Sequence, residues 1–135
     1  MRVSILFFLL TFMLSASDIE WAGSYSEAIE LAKKENKGIY ILITSETCRW
    51  CRKLESTTLK KDAVIDKIDK SFITLHVTRD KDEYPKYLKA KMIPMSYFIR
   101  PNGRVVHSVP GYWVSEDYLS IIGDAVRKLN KKKKK

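Results

Sequence analysis

Only two cysteines, Cys48 and Cys51, and only two histidines, His76 and His107, occur in this chain of 135 residues. With no second cysteine pair and no histidine in a ligand-spacing motif, a structural zinc site has too few candidate ligands and zinc is a minor alternative. Arg52 stands where covalent haem attachment would require a histidine, directly after the second cysteine, so that option is excluded. The chain also lacks internal repeats and an interdomain linker. No apolar run reaches the roughly 20 residues of a membrane-spanning helix. At this length a single domain with its own core is expected.

What is present is globular: 45% hydrophobic and 30% charged residues argue against both disorder and a multispanning membrane protein. The compositional biases lie at the ends. Arg2, the apolar run from Ile5 to Leu14 and the small residues Ser15-Ala16-Ser17 have the order of a secretory signal, which places a signal peptide at residues 1–17 with cleavage after Ala16 or Ser17. No cysteine follows that run to carry a lipid, so the mature protein is expected to be free of stable membrane insertion. The formal charge of +9 includes five lysines at 131–135. That run reads as a solvated, disordered tail, and no nucleic-acid partner follows from it. The folded domain is expected over residues 18–130.

Within it, Ile19-Glu20-Trp21 has the makings of a short strand. Ser24-x-x-Glu27 is a capping-box pattern opening a helix from Tyr25 to Asn36, with Gly38 as its stop. Ile39 to Ile43 is a continuous apolar run suited to a central strand. A helix is expected from Cys48 to Leu59, and Asp62 is expected to cap a further turn carrying Val64, Ile65 and Ile68. Phe72 to Val77 reads as strand, and Glu83 to Met92 as a short helix bearing Tyr87 and Leu88. Asn102-Gly103 between Met95–Arg100 and Arg104–Val109 signals an antiparallel hairpin. A last helix after Ser115 carries the apolar stripe Tyr118, Leu119, Ile121, Ile122, Val126 and Leu129. This order predicts an α/β three-layer sandwich, a central mixed β-sheet flanked by helices on both faces.

Cys48-Arg49-Trp50-Cys51 falls where a buried strand gives way to a helix. A simple disulfide staple is the bland reading for an exported protein. Yet a bridge closing over two intervening residues removes little entropy from the unfolded chain, so redox use explains the pair better. At a helix start, free backbone N–H groups and the helix dipole favour a thiolate, and Arg49, Arg52 and Lys53 add positive charge. Cys48 is therefore the expected nucleophile. Cys51, a turn deeper, is placed to resolve the mixed disulfide.

A strand, then Cys48-x-x-Cys51 opening a helix, then Ile93-Pro94 ahead of an Asn-Gly hairpin, resembles the thioredoxin superfamily. The resemblance covers almost the whole chain after the leader, and is nearest to exported members such as the C-terminal domain of the bacterial transmembrane disulfide reductase. It implies that Pro94 is cis and lies against the cysteines, and that Ile93 offers its backbone to an extended substrate. It also implies a redox-active disulfide with no cofactor or metal. Trp50 replaces the proline between the cysteines of thioredoxin and is a candidate substrate contact. Leu42 stands where thioredoxin has a buried acid and Thr47 where it has a tryptophan, so the proton acceptor for Cys51 is open, with Glu46 and Glu55 as candidates. Tyr112 and Trp113 follow Gly111 on a loop, where they extend a substrate groove or pack against the domain.

Three functions fit: a dithiol reductase of envelope protein disulfides, a disulfide oxidase or isomerase, and a binding module that kept the fold without turnover. Ile93-Pro94 resembles the reducing members and favours the first. The expected partners are protein thiols and disulfides of the cell envelope and an unidentified electron donor. The expected location is the bacterial periplasm, and the expected state is a monomer.

Overall fold

A computed structural model describes residues 17–131. The expected leader, apart from Ser17, and the lysine tail after Lys131 lie outside the described residues. The elements are α1 (Tyr25–Glu35), β1 (Gly38–Thr44), α2 (Arg49–Ser56), a 3-10 turn (Thr58–Lys60), α3 (Asp62–Ser71), β2 (Phe72–Thr78), β3 (Met95–Ile99), β4 (Val105–Pro110) and α4 (Ser115–Asn130). The sheet runs β2-β1-β3-β4, with β1 and β2 parallel and the other two pairings antiparallel. The chain is thus an α/β sandwich built on a mixed sheet with helices on both faces.

Every residue of β1 is buried, as a strand covered on both sides requires. Its alternating side chains divide the core in two. Tyr40 and Leu42 pack with Leu54 of α2, Val64 and Ile68 of α3, and Tyr118, Ile122 and Ala125 of α4. Ile39, Ile41 and Ile43 pack on the other face with Ala28 and Ala32 of α1. The short strand expected at 19–21 is reduced to one bridge, Trp21 with Thr74.

Ser24 caps α1 by accepting from the Glu27 N–H at 3.1 Å, but Glu27 reaches back to the Gly23 N–H at 2.6 Å and not to that of Ser24. The helix stops at Asn36, in the left-handed conformation at φ 54°, not at Gly38. Gly38 instead begins β1, where an added Cβ would lie 2.9 Å from the Phe72 ring. Two further helix starts differ from expectation. Asp62 is the first residue of α3 and does not cap it, and Ser115 is the first residue of α4; neither helix has a side-chain cap bond.

The largest departure is Glu83 to Met92, which forms turns and no helix. Pro85 lacks an N–H and disfavours helical backbone at Tyr84, and Lys86, Lys89 and Lys91 crowd like charge into the stretch. Its carbonyls are taken from outside: Arg79 donates to the Ala90 oxygen at 2.7 Å and the Tyr97 hydroxyl to the Lys89 oxygen. Leu88 nevertheless buries against the α1 face of the sheet.

The hairpin turn depends on Gly103 at φ 86°, whose carbonyl accepts from the Tyr87 hydroxyl at 2.6 Å. An added Cβ would meet that hydroxyl oxygen at 2.8 Å. Gly103→Ala is expected to cost about 1–2 kcal/mol, combining backbone strain with the lost contact. Urea unfolding checks this as a lower midpoint at an unchanged slope.

Candidate active site

Thr44 ends β1, and four residues later Cys48 occupies the N-cap position of α2. Cys48 is partly exposed and Cys51 almost wholly buried, at 1% exposure. The two are joined by a disulfide, with Cα atoms 5.2 Å apart. The Cys51 backbone N–H donates to Cys48 Sγ at 3.1 Å, so the sulfur takes the place that a serine or aspartate oxygen fills at most helix starts. The first turn of α2 holds no acid, while Arg49, Arg52 and Lys53 are exposed on it. Amide donor, helix dipole and cations all favour negative charge on Cys48 when the bond is open.

The Ile93-Pro94 peptide bond is cis, with Pro94 buried and Ile93 partly exposed. The Pro94 carbonyl accepts from the Gly111 N–H at 2.7 Å, which ties the loop after β4 to the start of β3. From that loop Tyr112 reaches across to Trp50, their ring centroids 5.8 Å apart. Trp113 donates its indole N–H to the Pro110 carbonyl at 2.9 Å and accepts at its own carbonyl from the Thr58 hydroxyl at 2.6 Å. Tyr112, distant in sequence, thus joins Trp50 and the cysteine pair at one end of the sheet, beside the loop that Pro94 anchors.

Behind this surface lies a buried hydroxyl chain. Tyr118 is bonded to Tyr40 at 2.6 Å and to Ser96 at 2.8 Å, which locks α4 to β1 and β3 two residues past Pro94. Burial pushes Tyr118 up to about 12 and Tyr40 well above its ordinary value, so both remain neutral donors and acceptors.

The two candidate carboxylates are separated by their surroundings. Glu46 is exposed and paired with Lys81 at 2.8 Å, whose hydrogen bond and charge lower its pKa. Glu55 follows Cys51 by four residues, the spacing that sets two side chains on one face of a helix. It comes within 3.6 Å of His76 Nε2, and that nitrogen also meets the Thr44 hydroxyl at 2.8 Å. His76 pairs in register with Leu42. A polar group therefore stands beside the position where the family's buried acid is missing. Sequence reasoning passed over His76 because its partners come from β1 and α2 and share no local motif with it. Among the described residues no cluster of three or more metal-ligating side chains occurs, and the site holds the Cys48–Cys51 disulfide.

The thioredoxin-like domain family matches residues 25–126. Human spermatogenesis-associated protein 20 is 27% identical over 117 residues, covering 78% of this chain but only 14% of its own length. Two solved structures share the fold. A thioredoxin from Thermus thermophilus superposes with a TM-score of 0.73 at 19% identity, covering 84% of this chain and 92% of its own. The C-terminal domain of Neisseria meningitidis DsbD in its reduced form does so at 0.58 and 21% identity, covering 74% of this chain and 92% of its own. With a family match over most of the described residues, a mixed sheet of the right order and a cysteine pair opening α2, the chain belongs to the thioredoxin-like domain family.

Proposed function

We propose that this protein is an exported thiol–disulfide oxidoreductase that works as a dithiol reductase on disulfides of other envelope proteins. The observation that carries the reading is the asymmetry of the pair: Cys48 is partly exposed and its sulfur is held by an amide donor, whereas Cys51 is buried a turn below. In the reduced protein the Cys48 thiolate attacks a substrate disulfide, forming a mixed disulfide and releasing one substrate thiolate. Cys51 then gives up its proton and attacks Cys48 Sγ, releasing the second substrate thiol and closing the Cys48–Cys51 bond. Two electrons have passed to the substrate, and a thiol donor restores the pair. The substrate backbone lies along Ile93 and Pro94, with Trp50 beside it.

The leader-like start of the sequence supports export, with a bacterial periplasm as the compartment under this reading. The partners under this reading are envelope protein disulfides and an electron donor, with the chain acting as a monomer. The test is turnover: the protein, supplied with dithiothreitol, is expected to accelerate reduction of a disulfide-linked substrate well above dithiothreitol alone. Equal rates with and without the protein would end the reading.

Under the same reading Glu55 accepts the Cys51 proton, since Leu42 cannot. Glu55→Gln is expected to slow release of the mixed disulfide by about tenfold and to alter its pH profile, while leaving the initial attack by Cys48 little changed. Stopped-flow separation of the two steps measures this.

A further inference from the structure

The cations around Cys48 have no anionic partner among the described residues. Among the described residues Arg49, Arg52 and Lys53 make no salt bridge, while Glu46 is held by Lys81 and Glu55 stands against His76. Glu116 and Asp117, which follow the Tyr112 loop, sit in the first turn of α4, where that helix's amide end takes their charge. Lys53 has a particular position. Its ammonium lies 5.1 Å from the Trp50 ring centroid and 4.9 Å from that of Tyr112, so it bridges the cysteine helix and the loop tied to Pro94. Arg49 also lies over Trp50, at 5.2 Å from the ring centroid. Trp50 is nevertheless 46% exposed, and Met92, just before Ile93-Pro94, is 62% exposed. The rim of the site therefore combines accessible apolar surface with ammonium and guanidinium groups already ordered on aromatic faces.

We infer that this rim selects disulfides set in acidic polypeptide, with Lys53 and Arg49 as specificity residues that meet carboxylates beside the attacked cysteine. The inference rests on the reductase reading above and deepens it by naming the substrate class. Ordered cations with no internal anion gain most from an external one, and an acidic partner also arrives faster by electrostatic steering. A basic partner meets like charge at the same place. The aromatic faces hold Lys53 and Arg49 on the helix that Cys48 caps in the absence of substrate, so little ordering remains to be done on binding.

The experiment uses three synthetic disulfide peptides that differ only in the residues flanking the attacked cysteine: Glu, Gln or Lys. Second-order rate constants for their reduction by the reduced protein are measured at low and high salt. The Glu peptide is expected to react about tenfold faster than the Lys peptide at low ionic strength, with Gln between them. Because the screening length falls to roughly 3 Å at 1 M salt, the ratio is expected to shrink to about threefold or less there. The double substitution Lys53→Gln with Arg49→Gln is expected to narrow the low-salt ratio in the same way. Three peptides reduced at equal rates, or a ratio that the double substitution leaves unchanged, would overturn the selectivity and leave the reductase reading standing. Reduction of none of the three would overturn both.

Discussion

Cys48→Ser is expected to abolish turnover, with a loss of about a thousandfold or more, whereas Cys51→Ser is expected to trap the substrate. The difference follows from the geometry. Cys48 stands partly exposed at the helix start with the Cys51 N–H directed at its sulfur, and the one other thiol in the chain, Cys51, is buried. Cys51 is buried and bonded to Cys48, so its loss spares the first attack and removes the second. Mixing Cys51→Ser with a disulfide substrate should yield a stable one-to-one adduct through Cys48, seen by mass spectrometry and reversed by dithiothreitol. The doubly substituted protein should give none. If an adduct formed through Cys51 in Cys48→Ser at a similar rate, the assignment of nucleophile and resolver would be wrong.

A second large effect is expected far from the sulfurs. Phe98, fully buried in β3, stacks on Tyr40 with centroids 5.1 Å apart and packs edge-on to Phe72 at the same separation. It joins the strand that starts beside Pro94 to the strand that leads to Cys48, since Phe98 and Tyr40 are register partners. Phe98→Ala leaves a cavity at the centre of the larger helix-covered face, and the expected loss is about 3–5 kcal/mol. In a domain of this size that lowers the melting temperature by roughly 10–20 °C. Calorimetry checks it. Phe98→Leu, which retains most of the volume, is expected to recover a large part of the loss.

The parts of the fold that sequence revealed are those where local and tertiary demands agree. Ile39 to Ile43, short, apolar and rich in β-branched residues, suits a doubly covered strand and forms one, and Asn102-Gly103 supplies the positive φ that the hairpin needs. Glu83 to Met92 failed as a helix because Pro85 and like charge disfavour it and because Tyr97 of β3 and Arg79, just past β2, claim its carbonyls, and helix periodicity is blind to such claims. The candidate site divides in the same way. Cys48 and Cys51 are legible because strand, spacing and helix start are contiguous. The approach of Glu55 to His76, and the seating of Lys53 between Trp50 and Tyr112, arise only when β1, β2, α2 and the Gly111 loop are brought together. Glu46 and Glu55 looked alike in sequence; an exposed lysine pairing separates one from the half-buried surroundings of the other.

The central claim is that the Cys48–Cys51 bond is a working redox couple on the reducing side, and its reduction potential tests this most directly. The domain is equilibrated in graded glutathione or dithiothreitol buffers and its free thiols are counted. A value near the roughly −270 mV of thioredoxin is the predicted result. A value near roughly −120 mV would make the protein an oxidant. A bond that dithiothreitol fails to open in the folded protein would make it a staple, and either of these results would contradict the account.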